Sequence, residues 1–383
     1  MVQIAQPAST PASAPAPGEA TRAVMLPERL VLRRGGVLEQ VEIAYETWGE
    51  LSAAADNAVL VFTGLSPGPH AASSPADPSA GWWEYMIGPG KPIDSERHFI
   101  ICVNSLGSCF GSTGPSSVNP ATGKPYRLDF PELTIEDIAA ATHAALRELG
   151  IDRLHTAVGA SLGGMSALAY AMMFPAAVQR LVVVSAAVHA TTFAIADRAL
   201  QREIIRSDPD WRGGDYPLDR PPLNGLRLAR KLGLMSYRSA VEWQHRFGRE
   251  RMSAETPDEP FGMEFQIESY LEANARKFMR VFDANSYLYL SRAMDWFDAA
   301  VHGESLSAAM GRIEAREALV IGVRSDFLFP VAQQRELAEL LSGAGCEVEL
   351  AELDSVQGHD AFLVDKERFA PCMRRFFDAA DAR

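Results

Sequence analysis

Cysteine is scarce in this chain. Four occur in 383 residues, Cys102, Cys109, Cys346 and Cys372, and no two make a Cys-x-x-Cys pair. That scatter excludes a disulfide framework and fits reduced thiols in a cytoplasmic protein. Long apolar runs are missing as well: no stretch is long enough to span a bilayer, and the N-terminus lacks the basic and apolar regions of a signal peptide. Positive charge is in deficit, with 36 Lys and Arg against 49 Asp and Glu and a net charge of -13. A broad nucleic-acid or anionic-membrane surface is thereby excluded, although a local basic pocket is not. There is no His-Glu-x-x-His helix, no clustered Cys/His set and no Gly-x-Gly-x-x-Gly opening a helix. Gly88-Pro89-Gly90-Lys91-Pro92 lacks the spacing of a phosphate loop and its Ser or Thr. The expectation is chemistry with no metal and no resident cofactor.

What is present is a sizeable apolar fraction, 47% against 22% charged, enough for one large domain or a domain with an insertion. Residues 1–25 are rich in Ala, Pro and Ser and read as a disordered tail. Val37 to Thr47 alternates as an edge strand. Ala58 to Thr63 and Phe99 to Asn104 are continuous apolar strands, as in a sheet covered on both faces. Thr134 to Leu149 reads as a helix, with Thr134 and Asp137 as a capping box. Strands follow at Leu154 to Val158 and Leu181 to Ser185. The alternation then stops, and residues 190–311 read as amphipathic helices without a clear strand. Strands resume at Ala318 to Val323 and Cys346 to Leu353. The pattern predicts an α/β class protein with a mostly parallel sheet and helices on both faces. Its catalytic domain would comprise residues 26–189 and 312–383, interrupted by a helical cap over 190–311.

The most informative stretch is Gly159-Ala160-Ser161-Leu162-Gly163-Gly164. A strand precedes it and an apolar helical run follows. Strand, Gly-x-Ser-x-Gly and helix together are the nucleophile elbow of the α/β-hydrolase fold. A serine at so sharp a turn needs small neighbours, and the elbow sets its hydroxyl at the positive end of a helix. A serine hydroxyl needs a base, and the base an orienting acid, in the chain order Ser, acid, His. His359, in Gly358-His359-Asp360-Ala361-Phe362 after the last strand, is the candidate base; His302 lies in a polar cap segment. Asp326, directly after the strand ending at Val323, is preferred as the acid over Asp354. Oxyanion donors would be the N–H groups of Leu162 and Leu65. The chemistry predicted is cofactor-free acyl transfer.

Several blocks resemble the homoserine and serine O-acyltransferases of α/β-hydrolase fold. They are Tyr45-Glu46-Thr47-Trp48-Gly49, Asn104-Ser105-Leu106-Gly107, Gly111 to Ser117, Asp129-Phe130-Pro131, Gly159 to Met165, Ser325 to Pro330 and Gly358 to Leu363. The resemblance spans about residues 27 to 378. It implies that an acyl group passes from coenzyme A, a co-substrate, to Ser161 and then to the hydroxyl of L-serine or L-homoserine. It also implies a cytoplasmic homodimer joined through the cap, serving cysteine or methionine synthesis. In Gly225-Leu226-Arg227-Leu228-Ala229-Arg230 the second arginine matches the family's carboxylate grip, with Tyr237 nearby. Asp360 would hold the substrate ammonium.

Two features resemble the serine O-succinyltransferase branch. The loop Gly64-Leu65-Ser66-Pro67 would shorten the acceptor pocket to suit serine. Arg198, where acetyl-transferring relatives more often carry a small amide, would pair with the free carboxylate of a succinyl group. Arg202, one helical turn on, shares that face and would serve coenzyme A phosphates. Succinyl-CoA and L-serine are therefore the expected substrates. Transfer of acetyl or succinyl from coenzyme A to homoserine is the alternative, and a serine hydrolase is the rival of different class.

Overall fold

The computed structural model describes residues 18, 20–253 and 260–381. Eight strands form one sheet: β1 (Arg22–Met25), β2 (Glu42–Trp48), β3 (Ala58–Phe62), β4 (Phe99–Val103), β5 (Leu154–Ala160), β6 (Val178–Val184), β7 (Glu317–Val323) and β8 (Glu347–Leu353). Their order is β1-β2-β4-β3-β5-β6-β7-β8. The pairs β1/β2 and β2/β4 are antiparallel, and every other pair is parallel.

The central strands read as unbroken apolar runs because both faces are covered. In β3 all five residues are buried. Leu60 and Phe62 face one hydrophobic cluster, shared with Ile138 of α1 (Ile135–Glu148) and Leu168 of α2 (Leu162–Met173). Val59 and Val61 face the other, shared with Phe369 and Met373 of the C-terminal helix (Lys366–Asp381). This alternation is the two-residue period of a strand. The capping box opening α1 is formed: Thr134 Oγ1 accepts from the Asp137 N–H, and Asp137 Oδ2 accepts from the Thr134 N–H.

Two expectations at the N-terminal side need correction. The tail over residues 1–25 lies mostly outside the described residues, but Arg22–Met25 is a strand. Val24 pairs with Ile43 and packs on the core, so this short segment gains a ladder and an apolar contact that composition alone concealed. Val37 to Thr47 is not one edge strand. Gln40 has φ 50°, a left-handed turn that breaks the run. Val37–Leu38 pairs with Leu30–Val31 in a separate hairpin, and Glu42–Trp48 lies one strand in from the edge.

Between Val184 and Glu317 no described residue joins the main sheet. That segment holds α3 (Thr192–Ser207), α4 (Leu223–Tyr237), α5 (Ala240–Phe247), α6 (Gln266–Phe278), α7 (Ala284–Trp296) and α8 (Leu306–Met310). Helices α3, α4 and α7 contribute residues to a cavity over the C-terminal ends of the parallel strands.

Candidate active site

The elbow forms because its glycines permit a contact no side chain would. A Cβ on Gly159 would lie 2.0 Å from the Gly163 carbonyl oxygen, and one on Gly163 would lie 2.5 Å from that of Phe62. With β5 and α2 pressed so closely, Ser161 takes φ 55° and ψ -122°. A non-glycine residue in that region is strained, and strain of this kind persists only where its surroundings enforce it. The Ser161 N–H is tied to the Val184 carbonyl at 3.0 Å, which ties the turn to β6.

The strand ends then deliver the other two groups. His359 Nε2 stands 2.9 Å from Ser161 Oγ, and its Nδ1 stands 2.7 Å from Asp326 Oδ2. The other Asp326 oxygen accepts from the N–H groups of Leu328 and Phe329, each at 2.9 Å, so the carboxylate cannot rotate away. All three residues are buried. Asp354 is exposed, and His302 bonds to Glu136 at 3.1 Å, so neither rival belongs to the site. Burial alone would depress the His359 pKa. The Asp326 charge and hydrogen bond, with help from Asp360, outweigh burial and raise it above the ordinary imidazole value, while Arg198 opposes them. Phe329 stacks on the imidazole with 5.2 Å between ring centroids.

Above Ser161 lies a cavity of about 270 Å³. Gly64, Leu65, Ser66 and Pro67 border it, and so do Arg198, Arg230, Tyr237, His359 and Asp360. Leu162 is buried beneath, with its N–H in the opening turn of α2, where helix N–H groups have no partner within the helix. Arg230 donates from Nη1 to Ser66 Oγ at 3.2 Å and lies over the rings of Tyr237 and Phe278. Asp360 is not free: one oxygen lies 3.2 Å from Arg238 Nε. Arg198 donates from Nε to Asp295 Oδ1 at 2.6 Å, while its buried Nη1 and Nη2 have no hydrogen-bond partner. Arg202 pairs with the same carboxylate, at 2.6 Å from Oδ2, and does not border the cavity.

Three participants escaped the sequence reading. Asp295 lies 97 residues from Arg198 on another helix, and no local pattern links them. Asp197 borders the cavity beside Arg198, buried, with a pKa raised by that burial. Its place next to an arginine on a cap helix was the available signal. Trp82 also borders the cavity, from a loop without regular pattern.

The chain matches the family model described as alpha/beta hydrolase fold over residues 57–365. It is 61% identical over 360 residues to a serine O-succinyltransferase of Litchfieldella anticariensis, an alignment covering 94% of this chain and 98% of that protein. A serine O-succinyltransferase of Stenotrophomonas maltophilia is 55% identical over 361 residues, covering 94% and 98%. Among solved structures, a homoserine O-acetyltransferase from Bacillus anthracis superposes with TM-score 0.86 at 30% identity, covering 94% of this chain and 97% of that one. A crystal structure of an esterase gives 0.84 at 29% identity, covering 93% and 99%.

Proposed function

We propose, because the chain belongs to the α/β-hydrolase fold family and within it to the serine O-succinyltransferases, that it moves a succinyl group from succinyl-CoA to the hydroxyl of L-serine. The observation that carries the donor assignment is the pair of unpartnered, buried Arg198 nitrogens beside a complete triad. Unmade donors on a buried cation are costly, and a ligand carboxylate would satisfy both.

The reaction has two halves. His359 Nε2 accepts the Ser161 proton as Oγ attacks the thioester carbonyl carbon. The N–H groups of Leu65 and Leu162 hold the oxyanion. The carbon–sulfur bond breaks, and His359 gives its proton to the departing thiolate. Succinyl now sits on Ser161 as an ester. The serine hydroxyl then loses its proton to His359 and attacks that ester. Its carbon–Oγ bond breaks, the proton returns to Ser161, and O-succinylserine leaves, an activated ester for cysteine synthesis. Asp326 holds the imidazole tautomer throughout.

Arg230, Tyr237 and Asp360 grip the amino-acid acceptor. The guanidinium of Arg230 takes the carboxylate and Asp360 the ammonium, which its pairing with Arg238 leaves one oxygen to meet. Leu65 and Pro67 border the cavity, and their bulk and stiffness support a short acceptor site, one that favours serine over the longer homoserine. Exposed Leu228, Met235 and Val241 on α4 and α5 support a homodimer through these helices. Four buried free cysteines suit the cytoplasm. No described helix is long and apolar enough to cross a membrane. The test is a two-by-two assay of succinyl- or acetyl-CoA against serine or homoserine. Product only with succinyl-CoA and serine supports the proposal. Transfer to homoserine alone would make the acceptor assignment wrong, and acyl-CoA turnover that needs no amino acid would indicate a hydrolase.

A further inference from the structure

Arg198 is held by only one of its edges. Its Nε–H donates to Asp295 Oδ1 at 2.6 Å, with the two side chains 4% and 7% exposed. A guanidinium can meet a carboxylate side-on, through Nε and one Nη, or end-on, through Nη1 and Nη2. Asp295 occupies the side-on edge. The end-on pair is buried and unpartnered in a residue that borders the cavity. Asp295 is fixed in turn. Its Oδ2 lies 2.6 Å from Arg202 Nη2, and Arg202 Nη1 donates to Ser291 Oγ at 3.4 Å. Arg198 and Arg202 are one turn apart on α3, and Ser291 and Asp295 are one turn apart on α7. The two helices are therefore stitched together through one carboxylate shared by two cations. What remains open toward the cavity is the end-on pair of Arg198, whose Nη1 and Nη2 have no hydrogen-bond partner. The neighbouring Asp197 makes no hydrogen bond to that pair; its Oδ2 accepts from Gln201 and Ser236.

We propose that Asp295 is a positioning residue for donor choice: it locks the end-on pair of Arg198 at a fixed place, so that Ser161 selects acyl groups ending in a carboxylate at succinyl length. The inference rests on the succinyl-transfer reading above. Its physical content is preorganisation. An arginine side chain free to rotate would meet carboxylates at several distances, whereas one clamped through Nε meets only those at one distance.

The experiment follows acylation of Ser161 by rapid quench and mass spectrometry, with no amino acid present. Asp295→Asn keeps an oxygen for Arg198 Nε–H but sets an amide against Arg202. The ratio of succinyl to acetyl loading should fall about tenfold, with acetyl loading changed less than about threefold. In an Arg198→Asn background the same substitution should leave the ratio unchanged. Equal losses for both donors, or the same loss after Arg198 is removed, would overturn the positioning role. Wild-type protein provides a measure that needs no variant to fold. Succinyl-CoA should load at least about tenfold faster than malonyl- or glutaryl-CoA. Equal rates for all three, with acetyl slow, would show an unclamped Arg198 and overturn this inference while leaving succinyl transfer standing. Failure of every carboxylate-ending donor to load would overturn the transfer reading and this inference together.

Discussion

His359 is pulled in opposite directions. Burial disfavours its charged form, yet the Asp326 carboxylate 2.7 Å away stabilises that form by more than burial costs it, and the pKa is raised. The free enzyme needs the imidazole neutral. Loading of Ser161 should therefore fall as pH drops through this raised pKa, on an acid limb lying above the ordinary histidine value. Arg198 holds that pKa down, so Arg198→Asn should move the limb for acetyl loading to still higher pH. The same variant should cut succinyl loading by about 10- to 100-fold, the worth of a charge-assisted hydrogen bond. A pH–rate profile for each donor checks both. Asp326→Asn should leave the fold intact and lower turnover by about four orders of magnitude, because the tautomer is no longer held. Asp354→Asn, at an exposed position, should be close to wild type; a large loss there would transfer the acid role. Ser161, Asp326 and His359 were legible because each is confined by local chain chemistry: an elbow of small residues, and two loops that follow strands. Asp295 was not, because its role exists only once two distant helices meet.

Helix α4 presents Arg230 and Tyr237 to one cavity from a single face. Arg230→Lys keeps the charge but loses the planar fork. The Michaelis constant for serine should rise by roughly tenfold, with succinyl loading of Ser161 little changed; steady-state and single-turnover kinetics separate the two. Equal loss in both halves would put Arg230 on the coenzyme. Strands β4 and β5 raise a different issue. His98 just before β4 and His155 within β5 pack against each other and against Phe377, with ring centroids of the two histidines 4.8 Å apart. Burial pushes both pKa values down to about 4, with neighbouring positive charge adding to the shift. Both stay neutral in the folded chain, whereas the unfolded chain protonates them below about 6.5. The unfolded state thus binds more protons between about 6.5 and 4, and stability declines as pH falls through that window. His98→Phe should flatten this part of a Tm-against-pH curve relative to wild type. At the scale of elements the sequence was a good guide wherever periodicity and capping agreed, as in α1. It failed at β1, where a four-residue strand follows an Ala/Pro-rich segment and owes its order to pairing with β2.

At the scale of the whole molecule, the sheet and the helices above it divide the work. Strand ends hold the nucleophile, acid and base in one line, and α3, α4 and α7 border the cavity above them, where the proposed function places the groups that choose substrates. In the sequence the alternation stops after Ala187 and resumes at Ala318; in the structure the sheet strands end at Val184 and resume at Glu317. The packing of one cap helix on another was not visible, since amphipathic helices carry no address for their partners. Solved structures of similar fold include both a homoserine O-acetyltransferase and an esterase. On the proposed function the chemistry sits at the strand ends, and acceptance of an amino acid or of water is decided by the helices above. The central claim is that Ser161 carries succinyl between two substrates. Its most direct test is intact-protein and peptide mass spectrometry of the chain mixed with succinyl-CoA, before and after addition of L-serine. The account predicts a succinyl adduct on the Ser161 peptide, absent in Ser161→Ala, that persists in buffer and is discharged by serine with formation of O-succinylserine. A chain that forms no adduct yet transfers succinyl, or an adduct that water removes as fast as serine does, would contradict it.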